Sequence, residues 1–564
     1  MSFLPNRSRL LLIAFALALV LFFLWMNRSA YRGFFTDDDL DNLANARGLD
    51  FSSIGKGLIS PYIGRGDSFR AAGYSYYFVM AKAAGTRYIP YVAGIQVIHL
   101  LNVALIFLLA RAMGAKLIGA CAAALLFVFH AAALDVYWKA MYVFDLLCAT
   151  FTLACVLAYI RGGIVLSLIC FWLALKNKEV PIFLPLILAA YELWLGGRRW
   201  KRLLPFFAIS AVVGASALLF NSRPDDPYTF RFTATALWEC ARFYARELAF
   251  IPYAGFAVLL VPLLAPKDLR LRWGVLAFLL LLGPLLFLPG RLFAAYLYLP
   301  FAGLAIAISS LTAPLAVAIL FLAWIPWNYR QVRPYRNLNI ASSAERRDWF
   351  QSLSLFIPQH PEIDKFIYDG APQSLPDDWG VAGAVRLLRS PESTTRVAPL
   401  DTPQGTELLK SPTFATLAWN PTTHKVTGLV KNSNVDVSYI KLDDSTPFWQ
   451  LEEGWLGNQG TYRWIRPVAK VRLHRPADAT TLEVIVDVSE YYITRLHESK
   501  FEAFLNGTSL GARTLRAPKP TTLEFPIPKG PTGPAKIELH VSPPLSDPNN
   551  GPPLGQPIAA IGFR

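Results

Sequence analysis

Apolar and polar positions along this chain fall into long blocks rather than a fine alternation. Runs of roughly 17–25 apolar residues are long enough to cross a bilayer as helices. Segments approaching that length are Leu10–Trp25, Tyr91–Ala110, Leu117–Ala133, Phe144–Ile160, Ile164–Leu175, Pro181–Leu195, Leu203–Phe220, Leu248–Leu264, Trp273–Leu288, Tyr296–Ser309 and Ala313–Trp327. They predict a helical polytopic membrane bundle of about eleven spans. Between them the basic residues sort to one side: Arg7 and Arg9, Arg111 and Lys116, Arg161, Arg198 to Arg202, and Lys267, Arg270 and Arg272. The positive-inside rule makes that side cytoplasmic, which puts the N-terminus inside and, after an odd number of spans, the C-terminal region outside. The first span has no small-residue cleavage site and runs into Asn27-Arg28, so it reads as an anchor.

After Tyr329 the pattern changes. Gln331–Asn339 reads as a polar linker and Ala341–Phe356 as a short amphipathic helix. Short alternating segments follow, separated by Pro, Gly, Asn and Asp: Val426–Val430, Val437–Leu442, Ala469–Leu473, Thr481–Val488, Ala503–Leu505, Leu523–Phe525 and Lys536–Val541. Regular short strands of this kind predict a β-sandwich, jelly-roll-like, with Asn506-Gly507 as a tight turn. The expected organisation is 1–329 membrane bundle, 330–425 linker and mixed α/β region, and 426–564 outward-facing sandwich. Trp449, Trp455 and Trp464 either pack a core or stack on sugar rings.

Composition narrows the class. With 54% hydrophobic and 16% charged residues the chain is not an ordinary soluble protein. A net charge of +15 raises nucleic acid as a partner, but no basic run with interleaved aromatics supports one, and the membrane topology accounts for much of the excess. Four cysteines, Cys121, Cys148, Cys155 and Cys170, sit in apolar segments, and Cys240 in a polar loop, so no disulfide framework is expected.

The loops on the outward side hold more polar chemistry than connectors need. They are Asn27–Pro90, the turn around His130–Val143, Lys176–Val180, Asn221–Glu247 and Pro289–Ala295. The first carries Asp37-Asp38-Asp39, which is either a solvated acidic turn at a helix start or a site that meets water, a cation or a polar substrate. It also carries Tyr74, Tyr76 and Tyr77 among Arg65, Arg70, Lys82 and Arg87. There Phe69–Ala84 could lie in the membrane interface, as an aromatic belt or as a guide for a lipid carrier. His130, Asp135, Lys139 and Asp145 are either helix-end caps or part of a site. Lys178-Glu179 joins two apolar spans directly, where a compact ammonium suits a phosphate that arrives on a lipid. Asp225-Asp226 adds acid to the fourth outward loop.

In this order the motifs resemble the C-type (GT-C) membrane glycosyltransferases, in particular the protein O-mannosyltransferases with tetratricopeptide repeats and their bacterial relatives. The resemblance runs from Phe35-Thr36-Asp37-Asp38 through His99-Leu100-Leu101-Asn102, His130 with Asp135 and Asp145, and Leu173 to Glu179, Leu184-Pro185 and Tyr191-Glu192, to Tyr296-Leu297-Tyr298-Leu299-Pro300. The chain departs from the family at Ala131, where Pro is usual, at Val143, where Arg is usual, and at Ala295, where an Arg usually precedes the Tyr-Leu-Pro stretch and Arg291 is the nearest candidate. The repeats themselves are absent, which leaves sugar and acceptor open.

The resemblance implies transfer of a sugar from a polyprenyl-phosphate-linked donor to a protein or glycan acceptor at the outer face of a bacterial inner membrane, with inversion. Residue chemistry fits that reading: a departing phosphate wants cations and little acid, while the acceptor hydroxyl wants a carboxylate base. Asp38 is the expected base, with Asp37 and Asp135 as further catalytic carboxylates and Asp39 as a ligand if a divalent cation such as Mg or Mn is used. Lys178 and Arg291 are the expected phosphate ligands, with Glu179, His130, Arg242 and Arg246 as further substrate-binding candidates. Two other classes share some of these features. A lipid-sugar flippase would place its charges mid-span rather than at outward helix ends. A non-catalytic glycan-binding subunit of the cell envelope would need no base.

Overall fold

The computed structural model describes residues 6–60, 70–220, 227–375, 380–391, 393–431, 436–443, 445–547 and 551–564. The chain forms two compact units, Met1–Ser343 and Ala344–Arg564. The first is helical and the second rich in β-structure.

In the first unit the apolar segments lie largely on helices, but not as eleven unbroken spans. Among the described residues four stretches are long and apolar enough to cross a membrane: Arg9–Arg32, Tyr88–Ala112, Ala140–Ile160 and Leu269–Phe287. Two bent pairs raise that to six if each is one span, and Ile164–Leu175, Val180–Trp194 and Ala294–Ile308 are apolar but shorter. The expected span Leu117–Ala133 stops as an α-helix at Val128 and turns by 70° into the 3-10 segment Ala131–Tyr137. His130 makes that turn, its ring nitrogen Nδ1 accepting from the Ala132 N–H at 3.2 Å. The expected span Leu248–Leu264 is likewise broken. Its helix begins earlier, as Ala234–Ala249, inside what read as an outward loop, and bends by 94° into the next helical segment. Pro252 cannot continue the helix, and Phe250 closes it in the left-handed region at φ +57°. Cys240 is therefore a buried helix residue rather than a loop cysteine. All five cysteines are free.

Close helix packing has a local cause. The helices Leu269–Leu282 and Tyr298–Ile308 meet at Gly274 and Gly303, and a Cβ on either would sit 2.5 Å from the other's carbonyl oxygen. Small residues at such a crossing let backbones approach where lipid supplies no hydrophobic drive.

The polar linker Gln331–Asn339 is not a linker. It belongs to one 43-residue helix, Pro314–Phe356, which takes in the expected last span and the expected amphipathic helix. No glycine interrupts this run, and Pro326 and Pro334 each remove only one backbone donor.

In the second unit Lys365–Asp369 pairs in parallel with Arg396–Pro399 and Ala415–Asn420, and Lys425–Val430 adds an antiparallel edge. Lys425–Val430 therefore belongs to this mixed sheet and not to the sandwich, which begins beyond it. The sandwich has two antiparallel sheets. One orders Thr508–Leu515, Ser499–Leu505, Gly533–Ser542 and Val468–Arg475. The other orders Pro520–Pro526, Thr481–Asp487, Pro557–Phe563, Arg463–Ile465 and Trp455–Asn458, with Tyr439–Lys441 also on Pro557–Phe563. Alternate residues of Thr481–Asp487 and Val468–Arg475 are buried, as a two-sheet core requires. Trp455 packs against that core and donates to the Lys470 carbonyl at 2.7 Å, while Trp449 packs edge-on to Phe414. Their rings serve packing.

Candidate active site

The acidic stretch is fixed by its neighbours on both sides. Phe35 is fully buried, with its ring 5.3 Å from Tyr88 and 5.2 Å from Tyr91. Asp37 follows at φ +47°, a left-handed position that Asp tolerates better than most residues. Asp38 is the N-cap of the helix Asp39–Arg47, yet its side chain makes no capping bond. Asp39 is fully buried. Its Oδ2 accepts from the Thr36 N–H at 3.0 Å and its Oδ1 from the Tyr77 hydroxyl at 3.0 Å. Burial pushes its carboxyl up to about 7, against the pull of the Thr36 bond. Each oxygen thus has a partner, and Asp39 ties the loop down.

The helix Ala71–Ala84 explains the tyrosines of the first outward loop. Tyr77 holds Asp39, the Tyr74 hydroxyl donates to Asn42 Oδ1 at 3.1 Å, and the Tyr76 hydroxyl donates to the Tyr91 carbonyl at 2.6 Å. These three hydroxyls point into the bundle and brace the acidic loop, so they do not form a belt. Arg65, Asp225 and Asp226 lie outside the described residues.

The second element is the turn that follows His130. Lys139 Nζ lies 3.4 Å from Asp37 Oδ2 and 3.6 Å from Asp135 Oδ2. The Tyr335 hydroxyl donates to Asp135 Oδ2 at 2.9 Å from the long helix. Asp135 Oδ1 is buried and has no hydrogen-bond partner among the described residues. Burial disfavours the Lys139 charge, but Asp135 and Asp37 outweigh it and hold the ammonium above its ordinary range.

A third group is cationic. Lys178 Nζ reaches Asp145 Oδ1 at 2.7 Å and sits 4.6 Å from the Tyr296 ring. Asp145 outweighs the burial that works against the Lys178 charge, so that ammonium too is held above its usual range. Arg70 faces Glu179 at 3.6 Å. Arg291 lies over Tyr228 at 4.3 Å and Phe293 at 4.6 Å, and donates to the Tyr296 hydroxyl at 3.3 Å. Its Nε is buried without a partner.

Asp38 feels charges of both signs. Burial raises its carboxyl first, then the charges of Asp41 and Asp37, while Arg291 and Arg70 pull it down. Among the described residues Asp38 forms no hydrogen bond or ion pair with any side chain. The structure therefore brings together Asp37, Asp38, Asp135, Lys178, Glu179 and Arg291 of the expected residues.

Three expected residues are placed elsewhere. His130 is 1% exposed; Nε2 faces the Leu248 carbonyl at 3.1 Å and Nδ1 accepts from Ala132, so both nitrogens serve the bend. Arg242 and Arg246 ride on the helix Ala234–Ala249 with exposed side chains, and Arg246 closes on Glu247 at 2.6 Å. Among the described residues neither joins the cluster by a hydrogen bond or ion pair. The sequence offered Lys139 as a helix-end cap or part of a site, Arg70 as a loop cation and Tyr296 within a motif, but not their partners, and it showed no sign of Tyr335.

No protein-family model and no curated protein matches the chain. Among the solved structures similar to it are two at low identity. One is the arabinofuranosyltransferase AftD from Mycobacteria, at 12% identity and a TM-score of 0.45, covering 99% of this chain. The chain spans only 58% of the length of that protein. The other is ArnT from Cupriavidus metallidurans bound to undecaprenyl phosphate, at 12% identity and a TM-score of 0.41, covering 76% of this chain and 99% of its own. Likenesses at this level bear no weight on the chemistry, which rests on the residues.

A divalent cation fits the cluster poorly. Asp39 is fully buried with a hydrogen bond on each oxygen, the ammonium of Lys139 lies between Asp37 and Asp135, and among the described residues no three His, Cys, Asp or Glu side chains converge as metal ligands.

Proposed function

We propose that the helical unit is a membrane glycosyltransferase that moves a sugar from a polyprenyl-phosphate-linked donor to an acceptor hydroxyl at the outer face of the membrane, with inversion. One observation carries the reading: Asp38, a half-buried carboxylate that makes no side-chain hydrogen bond among the described residues, sits within the fields of Arg291 and Arg70, and Arg70 in turn lies within the field of the Lys178–Asp145 pair. A base next to a place for an anion is what this transfer needs.

In the step itself the acceptor oxygen attacks the anomeric carbon and its proton passes to Asp38. The bond from that carbon to the phosphate oxygen breaks, and polyprenyl phosphate leaves with the electron pair. Its growing charge is met by Arg291, whose buried Nε has no hydrogen-bond partner among the described residues, and by Lys178 and Arg70. Burial and the charges of Asp41 and Asp37 raise Asp38, which makes it a stronger base than an exposed carboxylate. Asp37 and Asp135, both paired with Lys139, shape this site without acting as the base.

The test is transfer by the purified full chain, in lipid nanodiscs, from a panel of polyprenyl-phosphate sugars, read as release of polyprenyl phosphate. Asp38→Asn keeps the shape and removes the basicity, so kcat should fall by about 10²–10⁴-fold with donor affinity nearly unchanged. Turnover within a few-fold of the native rate would show that Asp38 is not the base.

A further inference from the structure

We propose that Lys139 is the resident cation of this site, an ammonium standing where a divalent metal would otherwise bridge two carboxylates, and that Tyr335 is the positioning residue that keeps it there. The inference deepens the glycosyltransferase reading and rests on it for its activity arm alone.

The geometry forms a chain of contacts. Tyr335, on the helix Pro314–Phe356, donates its hydroxyl proton to Asp135 Oδ2 at 2.9 Å. That same oxygen lies 3.6 Å from Lys139 Nζ, which lies 3.4 Å from Asp37 Oδ2. The three charged side chains are 13–19% exposed, so water screens them little. Two carboxylates this close to one point repel each other unless a positive charge divides them, and Mg or Mn commonly fills that role with oxygen ligands. Here the charge is covalently attached. Asp37 and Asp38 are adjacent in sequence, so the pair Asp37–Lys139 also sets the backbone from which Asp38 projects.

Tyr335 reaches the site because its helix is docked there by other contacts. Asn328 Oδ1 accepts from the Ala131 N–H at 2.7 Å, at the start of the turn that carries Asp135. Arg336 donates to Ser29 Oγ at 2.9 Å, and the Trp138 indole donates to Asn27 Oδ1 at 2.9 Å. From the helix Arg336 also lies over the Trp138 ring at 5.6 Å, so the helix touches the turn at Ala131, Asp135 and Trp138.

The experiment titrates Mn²⁺ against the purified full chain and follows free Mn²⁺ by electron paramagnetic resonance, with transfer assayed in parallel before and after chelation. The native protein should leave Mn²⁺ free, and chelation should change transfer by less than about twofold. Lys139→Met should lose transfer by about 100-fold or more and gain a Mn²⁺ site that disappears when Asp37→Asn is added. Tyr335→Phe should lower kcat by about three- to tenfold, leave donor KM in place, and gain no Mn²⁺ because the ammonium remains. A native chain that binds one Mn²⁺ through Asp37, or that stops working on chelation, would overturn the proposal. Near-normal transfer by Lys139→Met would overturn it as well. If Lys139→Met does not fold, titration and chelation of the native protein decide. If no polyprenyl-phosphate donor is used at all, the glycosyltransferase reading falls, while the Mn²⁺ titration still decides the role of Lys139.

Discussion

Asp39 makes the sharpest test of the site's construction, because its state can be followed without substrate. Burial raises its carboxyl from 3.8 to about 7, so between those values the folded protein keeps a proton that the unfolded chain releases. A group raised in this way contributes stability that is full below pH ~4 and lost as pH rises towards 7, and flat beyond that. The shift corresponds to about 4 kcal/mol. An asparagine in its place could not titrate, yet its amide would still accept from the Thr36 N–H and turn its NH₂ towards the Tyr77 oxygen. Asp39→Asn should therefore gain on the native protein as pH rises from 4.5 to 8. At about 2.1 cal/mol/K per residue, a unit running from Met1 to Ser343 melts with an entropy near 0.7 kcal/mol/K, so the roughly 3 kcal/mol of this shift that falls between pH 4.5 and 8 reads as about 4 °C. Scanning fluorimetry of both proteins in detergent across that range measures the difference directly. Asp38 is raised as well, but its contribution is common to both and cancels. Because the Tyr77 bond pulls the Asp39 carboxyl down, Tyr77→Phe should move the midpoint of the native curve to higher pH. A difference between native and Asp39→Asn that stays within about 1 °C from pH 4.5 to 8 would refute the buried, protonated state.

Two further outcomes follow from the charges. Lys178→Gln strands Asp145 and, on the proposed reading, removes an ammonium that meets the leaving group, so donor KM should rise by about 10–100-fold, and unchanged donor kinetics would show that Lys178 does not meet the donor. In the second unit Asp369 pairs with Arg463, which is 1% exposed, so Asp369→Ala should cost about 3–5 kcal/mol, while Asp369→Leu with Arg463→Met should cost much less. Pulse proteolysis that reports cleavage within residues 344–564 would read both, and equal losses would show that the pair is not the cause.

Much of the fold was legible because burial leaves a period. Thr481–Asp487 and Val468–Arg475 alternate cleanly, and the apolar runs of the first unit lie on helices. What stayed hidden has three physical sources. Thr508–Leu515 is an edge strand with one buried residue, so it shows no alternation. Lys425–Val430 looks like any other short strand, and only its partner Ala415–Asn420 assigns it to the mixed sheet. Gln331–Asn339 is polar because its helix is largely exposed there, and polarity alone does not separate a helix surface from a linker. At the site, local chemistry was visible and long-range pairing was not. Asp37 and Lys139 are 102 residues apart and Asp135 and Tyr335 are 200 apart, distances over which sequence spacing carries no geometry.

Three consecutive carboxylates end in three different states, and the backbone is the reason. At Asp37 the chain is left-handed, which turns its side chain to Lys139. Asp39 opens the helix and turns inward, where Thr36 and Tyr77 close around it. Asp38 stands between them at the N-cap with helical φ and ψ of −70° and −2°, so its side chain does not fold back on the helix N–H groups as capping residues do. A single regular conformation across the stretch would have pointed neighbouring carboxylates along related directions and left all three repelling one another in the open. Breaking the conformation at Asp37 sends one charge to an ammonium and one to a neutralising pocket. Among the described residues the middle one has no side-chain partner, and it is close enough to Arg291 and Arg70 to feel their charge. On this argument the left-handed turn is itself a requirement of the site. Asp37→Gly, which keeps that backbone but removes the carboxylate, should disturb Asp38 less than Asp37→Val, which removes both and favours an extended chain. Equal losses of turnover in the two variants would assign the whole effect to the Asp37 charge and none to the turn.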